Sequence, residues 1–462
     1  MSPRPKAKPA PARLLAGAAL GALVGAGAFV AALSQRAPAL PDLPPPLTDA
    51  DFAPVDEAEA ALGRLLFFDP VLSGNRDVAC ATCHHPAHGT SDGLSLGLGT
   101  GATGLGPDRA ALPDRVAELR RSPRNAPALF NLGAHEASVL FHDGRIEADP
   151  DRPGGLRTPL AADMVDGFAS VLSAQTMFPV LNRDEMAGHH IGNDISRAAR
   201  QGRITGPGGA WDLIARRVAA IPDYAEAFAQ VYPGIDAPDD IAFTDISNAI
   251  AAFMAFEFRS DTSPFDAVLR GEARLSGAAA RGAALFYGSA TCASCHAGPL
   301  LTDHRFHARG APQLGPGKAA DFESHARDDG RARVTGAEAD RFAFRTPSLR
   351  NVALTAPYGH AGSHATLAAF IADHADPVAA LERYDRSQVV LPDLPVDDWR
   401  IMDDADERAA IAEAVATPPI ALSPRDVSDL VAFLDTLTDP VATRGRLGVP
   451  ERVPSGLPVP RP

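Results

Sequence analysis

Apolar residues recur at helical spacing in several stretches of the chain. Over Val55–Phe68 the positions Leu62, Leu65 and Leu66 share one face, which predicts a helix. A longer helix is predicted over Ile241–Phe258, and Ser276 stands where it can cap another running through Phe286. Ser423 and Pro424 supply a capping hydroxyl and a first-turn proline ahead of Val427–Leu437. Strand-like alternation is rare, and 40 Gly with 42 Pro break up much of the remainder. The pattern describes a mostly α-helical protein with long connections.

The stretch Leu14–Leu33 carries no charge and follows Arg4, Lys6, Lys8 and Arg13. It is long enough to span a bilayer, and the basic flank should stay in the cytoplasm. Export to the periplasm is therefore expected, with residues 1–40 a cleaved signal or a retained anchor through residues 14–33. A Pro-rich linker, 41–54, follows. The 462 residues allow two to three domains.

Charge narrows the choice of partner. The chain holds 43 Lys+Arg against 57 Asp+Glu, for a formal net charge of −14. Before residue 41 there are five basic residues and no acidic one, so the remainder is more acidic still. Binding of nucleic acid through a basic surface is not expected.

The four cysteines are too few for a disulfide scaffold of this size. They form two pairs, Cys80-Ala-Thr-Cys83-His84 and Cys292-Ala-Ser-Cys295-His296. Each pair follows a related segment, Gly63-Arg-Leu-Leu-Phe-Phe in one half and Gly282-Ala-Ala-Leu-Phe-Tyr in the other. Downstream, Arg124-Asn125 precedes His142-Asp143-Gly144, and Arg350-Asn351 precedes His360-Ala361-Gly362. The same order twice predicts two cytochrome-c-like haem domains related by duplication. We place them at 55–268 and 269–440, with a Pro-rich tail at 441–462.

Cys-x-x-Cys-His is the attachment motif of c-type haem, in which two thiols add to the vinyl groups and the histidine reaches the iron. Zinc would require two coincidental histidines, and a thioredoxin-like pair needs a preceding strand. Two covalent haems are expected, with His84 and His296 as iron ligands.

Beyond these units, Leu72-Ser73-Gly74-Asn75, Arg124-Asn125-Ala126-Pro127, Phe344-Arg-Thr-Pro-Ser-Leu-Arg-Asn351 and Thr355-Ala-Pro-Tyr358 resemble bacterial di-haem cytochrome c peroxidases and their MauG-type relatives. The resemblance covers roughly residues 55–440. It implies a peroxidatic haem in the N-terminal half and an electron-transfer haem in the C-terminal half. Gln175, Pro179 and Glu185 match the spacing of the family's peroxide pocket. Cleaving a peroxide O–O bond needs a group that moves a proton between the oxygens and another that orients them, roles that suit a carboxylate and an amide.

The sequence departs from the family in four places, one of them Gly359 and Ala361, which replace the usual Met and Asp around His360. His142 stands where relatives carry a tryptophan relay between the haems; imidazole is harder to oxidise, which leaves tunnelling or polar bridging. The distal position of the second haem, Met or Tyr in relatives, falls on His374, which would give a bis-histidine centre of lowered potential. No histidine lies between His88 and Arg124, so the distal histidine that closes the first haem in reduction-activated peroxidases is missing. An open peroxidatic haem is expected. The resemblance also implies a calcium ion between the domains, with Asn125 and carbonyls near Arg345 and Pro347 as ligands.

Three functions follow from these readings. One is reduction of hydrogen peroxide with electrons from a small cytochrome c or cupredoxin. A second is MauG-like oxidation of a residue on a partner protein, and a third is electron transfer without catalysis. Gln175 and Glu185 argue against the third. The sequence leaves the oligomeric state open, with a homodimer among the expectations.

Overall fold

The computed structural model describes residues 43–189, 192–318 and 323–462. The predicted leader, 1–40, lies outside the described residues. Among the described residues no helix is long and apolar enough to cross a membrane.

The four predicted helices form close to the expected bounds. Helix α1 is Glu57–Phe68, capped by Asp56, whose carboxylate accepts from the amides of Ala58 and Glu59. Helix α2 is the short turn Val171–Gln175, and α3 is Phe243–Glu257. Helix α4 is Pro264–Leu269 and α5 is Gly277–Tyr287, with Ser276 at the N-cap position. Helix α6 is Leu367–Ala375, and α7 is Pro424–Asp435, where Ser423 Oγ accepts from the Asp426 amide at 3.2 Å. Strands are few and short, so the chain is mostly helical. Phe306–Ala308 and Ala343–Arg345 pair antiparallel, bringing His307 opposite Phe344.

Two helix pairs organise the halves, and each uses a glycine for close approach. A Cβ on Gly63 of α1 would lie 1.7 Å from Ala249 O of α3 and 2.9 Å from Phe253 Cβ. A Cβ on Gly282 of α5 would lie 1.8 Å from Asp429 O of α7 and 2.9 Å from Phe433 Cβ. The first pair is buried in an apolar cluster that includes Leu62, Leu66, Phe67, Phe253 and Phe258. The second belongs to a separate cluster around Phe265, Phe286, Phe433 and Leu437.

A second correspondence shifts the register read from sequence. Asn131 and Asn351 both adopt left-handed backbone, at φ 60° and 59°. The Asn131 amide donates to Phe258 O at 3.1 Å, and the Asn351 amide donates to Leu437 O at 3.1 Å. Asn131 Oδ1 accepts from the Ser260 amide, as Asn351 Oδ1 does from the Asp439 amide. Asn351 thus matches Asn131, not Asn125. The dipeptide Arg-Asn occurs at Arg124 and again at Arg350, but the backbone pairing follows the segment after each proline, Pro127 and Pro347.

Both Pro-rich stretches are docked. Leu47 and Phe52 bury against Ala134 and Leu300. At the other end Ala442 and Val453 join the first apolar cluster. Glu257 holds that segment with its carboxylate, which accepts from the amides of Arg446, Leu447 and Gly448 at 2.7–2.9 Å.

Candidate functional site: a cavity shared by two Cys-x-x-Cys-His motifs

One cavity of about 760 Å³ is lined by both cysteine motifs. All four cysteines are free of disulfides. Burial pushes the Cys80 and Cys83 thiols up to about 12 and the Cys292 thiol up to about 11, so none of these three is a preformed thiolate. Cys295, Asp303 and His307 bring potential ligand atoms within 4.8 Å of one another, but Asp303 Oδ2 is already engaged by His307 Nε2 at 2.9 Å.

Each motif histidine is oriented by a backbone carbonyl. His84 Nδ1 lies 2.9 Å from Thr90 O and His296 Nδ1 lies 3.1 Å from Leu301 O. A carbonyl only accepts, so Nδ1 carries the proton and Nε2 keeps its lone pair. Burial lowers both pKa values, which keeps the imidazoles neutral. A neutral imidazole with its second nitrogen anchored is the form that ligates a metal. Free thiols and oriented imidazoles on one cavity fit haem attachment at each motif.

Gln175, Pro179 and Glu185 line the same cavity. Gln175 ends α2, whose register is fixed by Ser173 Oγ donating to Asn248 Oδ1 at 2.5 Å and Thr176 Oγ1 donating to Ser247 Oγ at 2.6 Å. Pro179 opens a 3₁₀ turn, and Glu185 sits in a π turn, Arg183–Ala187, capped by Asn182. Asn182 Nδ2 donates to Glu185 Oε1 at 2.9 Å. Burial raises the Glu185 pKa, while Lys318 and Arg145 oppose the rise. The Leu72–Asn75 motif seats this turn: the Gly74 amide donates to Met186 O at 2.8 Å, and a Cβ on Gly74 would lie 1.9 Å from Ala187 O.

At the far end, His374 in the last turn of α6 lines the cavity together with His296. Its ring stacks on Phe370 at 5.2 Å between centroids. Burial, then Arg309, His296 and His364, bring its pKa down to about 3, so it is neutral. Arg309 Nη2 fixes its backbone by donating to His374 O at 2.5 Å.

Between the ends, His142 is half-buried with Nε2 3.2 Å from Asn125 O. Asn125 Nδ2 donates to Leu94 O at 2.8 Å, and the Asn125 amide donates to His360 O at 2.9 Å. His360 stacks on Phe344 at 3.9 Å and its buried Nε2 has no hydrogen-bond partner among the described residues. Arg124 joins the halves by pairing with Asp143 at 2.8 Å and Asp328 at 2.6 Å, all three side chains buried. His85 and His88 do not line the cavity; His85 packs edge-on against Phe68.

Several lining residues escape a reading by motif. Asp92 is buried, which pushes its carboxyl up to about 7. Lys318 reaches the cavity from the C-terminal half and carries no local signal. Asn182 had one: an Asx cap three residues before an acid marks a turn start.

A cavity bounded by two attachment motifs, with a carboxylate and an amide on its lining, defines a di-haem oxidoreductase. The di-haem cytochrome c peroxidase family model matches residues 57–274. MauG, a methylamine utilization protein of Methylorubrum extorquens, is 30% identical over 388 residues, spanning 83% of this chain and 79% of that protein. Cytochrome c551 peroxidase of Pseudomonas aeruginosa is 28% identical over 332 residues, spanning 72% and 76%. A MauG-like protein associated with microbial copper homeostasis superposes with a TM-score of 0.54 at 28% identity, covering 87% of this chain and 96% of that one. The chain belongs to the di-haem cytochrome c peroxidase family, and membership implies two haems.

Proposed function

We propose that the protein is an exported enzyme that reduces hydrogen peroxide at the haem site of Cys80, Cys83 and His84. Electrons enter through the haem site of Cys292, Cys295 and His296 from a small cytochrome c or cupredoxin. When bound, the two thioether-linked haems supply the redox chemistry, and one H₂O₂ with two electrons and two protons yields two waters.

The observation that carries the reading is Glu185, a half-buried carboxylate held by Asn182 on the same cavity as Gln175 and His84. The protein's own part is proton handling. Asn182 occupies Glu185 Oε1, and Oε2 takes a proton from one peroxide oxygen and returns it to the other as the O–O bond breaks. The Gln175 amide orients the peroxide, and Pro179 walls the pocket. A pure electron relay needs none of these groups. The test is peroxide-dependent oxidation of a reduced small cytochrome c by the protein loaded with both haems, which Glu185→Gln should suppress.

A second reading has its own support. His374 faces the cavity with His296, and no histidine from the loop before Arg124 reaches the cavity. A bis-histidine second site and an open first site favour MauG-like oxidation of a partner protein. Oxidising equivalents that persist after peroxide meets the diferric protein, and then pass to a protein, would decide for it.

We also read 55–268 and 269–440 as two haem domains related by duplication. The matched pairs Gly63/Gly282 and Asn131/Asn351 support this, and 441–462 returns to the first of them. A calcium ion between the domains is proposed with Asn125 as ligand, because its Oδ1 accepts no hydrogen bond among the described residues. Carbonyls and water would complete the shell.

A further inference from the structure

We infer that Lys318 is a positioning residue of the peroxide pocket: its ammonium, contributed by the C-terminal half, faces the same cavity as Glu185 and holds that carboxylate in its proton-accepting state. This rests on the peroxidatic reading of Glu185. Both side chains line the same cavity. The charged groups in reach of Glu185 are Lys318, Arg145 and Asp184. Arg145 is already engaged, donating to Asp143 Oδ1 at 3.0 Å and also to Oδ2. Lys318, by contrast, makes no hydrogen bond or ion pair through its side chain among the described residues. Its charge is therefore the one left for Glu185.

The backbone explains how a residue so far along the chain comes to sit there. The Gly315 amide donates to Asp398 O at 2.9 Å, and the Lys318 amide donates to Arg327 O at 3.1 Å. Gly315 touches the N-terminal half: a Cβ there would lie 2.2 Å from Leu96 Cδ1, and Leu96 and Leu314 share a buried cluster. The loop that begins with Leu96 continues to Thr100, whose amide donates to Glu185 O at 2.9 Å. One loop thus seats both the turn that carries Lys318 and the turn that carries Glu185. A shift of either half changes the distance between the two charges.

The electrostatics agree. Burial, Arg145 and Arg124 bring the Lys318 pKa down to about 8, while Glu185 and Asp328 support its charge. The ammonium is still mainly protonated near neutrality. On Glu185 the same pair acts with the opposite sign, since a neighbouring cation favours the ionised carboxylate against burial.

The test uses the full chain loaded with both haems and follows the rate of reaction with hydrogen peroxide against pH. Lys318→Met should move the acid limb of the profile upward by about one unit, because Glu185 loses its cation. Lys318→Arg should restore the limb. In a Glu185→Gln background, Lys318→Met should add nothing further. A haem-loaded Lys318→Met protein with an unshifted limb overturns the inference. So does an equal effect of Lys318→Met with and without Glu185, which would assign the ammonium to another group, such as a haem carboxylate. A wild-type rate in Glu185→Gln would remove the peroxidatic reading and this inference with it. Lys318→Gln, closer to lysine in length, carries the same comparison if Lys318→Met does not retain its haems.

Discussion

Asn182 Nδ2 donates to Glu185 Oε1 across 2.9 Å, while Asn182 Oδ1 accepts from the Glu185 amide at 3.3 Å. One side chain therefore fixes both the backbone and the carboxylate of the proposed proton carrier. Removing the carboxylate in Glu185→Gln should slow reaction with peroxide by roughly a hundred- to ten-thousand-fold, the usual weight of a general acid–base group. Asn182→Ala keeps the carboxylate but frees its rotamer, and should fall between. Stopped-flow mixing with peroxide measures both, and a wild-type rate in Glu185→Gln sinks the assignment.

His374 and His296 line one end of the cavity, each neutral and each anchored through its own backbone contacts. If both ligate one iron, the diferric protein should show a low-spin haem beside the high-spin haem of the open site. His374→Gly removes one strong-field ligand and should convert the low-spin signal to high-spin in electron paramagnetic resonance. An unchanged spectrum would remove His374 from the iron.

How much of this was legible depends on range. The helices over Glu57–Phe68 and Phe243–Glu257 follow from apolar spacing, a local property, and their bounds fell within two residues of expectation. Cys80, Cys83 and His84 are readable because the motif is local too. Asn351 was mispaired with Asn125 because a dipeptide match ignores backbone conformation; the left-handed φ shared with Asn131 is visible only in three dimensions. Lys318 and Arg124 act across the two halves, and nothing in their neighbours along the chain announces it.

Arg124 bridges Asp143 and Asp328 with all three side chains buried. Burial would raise the Asp328 pKa, yet Arg124 brings it down to about 2, below its ordinary 3.8. A depressed folded pKa stabilises the protein above the unfolded value, and that contribution is lost as pH falls through about 2. Arg124→Met leaves Asp328 buried without its cation and should cost roughly 3–5 kcal/mol at neutral pH. The unpaired carboxyl then favours protonation, so the pH dependence changes sign at this site. Urea unfolding at neutral pH and near pH 3 checks it: the deficit of the variant should shrink on acidification. A deficit that stays constant would mean that Asp328 does not depend on Arg124.

His142 occupies the place between the two ends of the cavity, and its surroundings decide how electrons pass it. Burial, then Arg124, His360 and Arg345, bring its pKa down to about 3. Those groups oppose a positive charge on the ring whether it comes from a proton or from loss of an electron. Oxidation of His142 as a discrete step is therefore disfavoured twice, by the intrinsic difficulty of oxidising imidazole and by its cationic neighbours. We propose instead that the ring is a packed bridge, with Nε2 3.2 Å from Asn125 O and its own carbonyl accepting from the Arg345 amide at 2.8 Å. His142→Phe keeps an aromatic ring of similar shape and removes only the polar contact. Electron transfer between the haems in that variant should stay within about tenfold of wild type, the effect of losing about 1.4 kcal/mol of organisation. His142→Trp should accelerate it only if indole adds a hopping step that imidazole cannot provide. Rapid-mixing kinetics of haem reduction measures both variants, and a collapse of the rate in His142→Phe would make the imidazole itself part of the route.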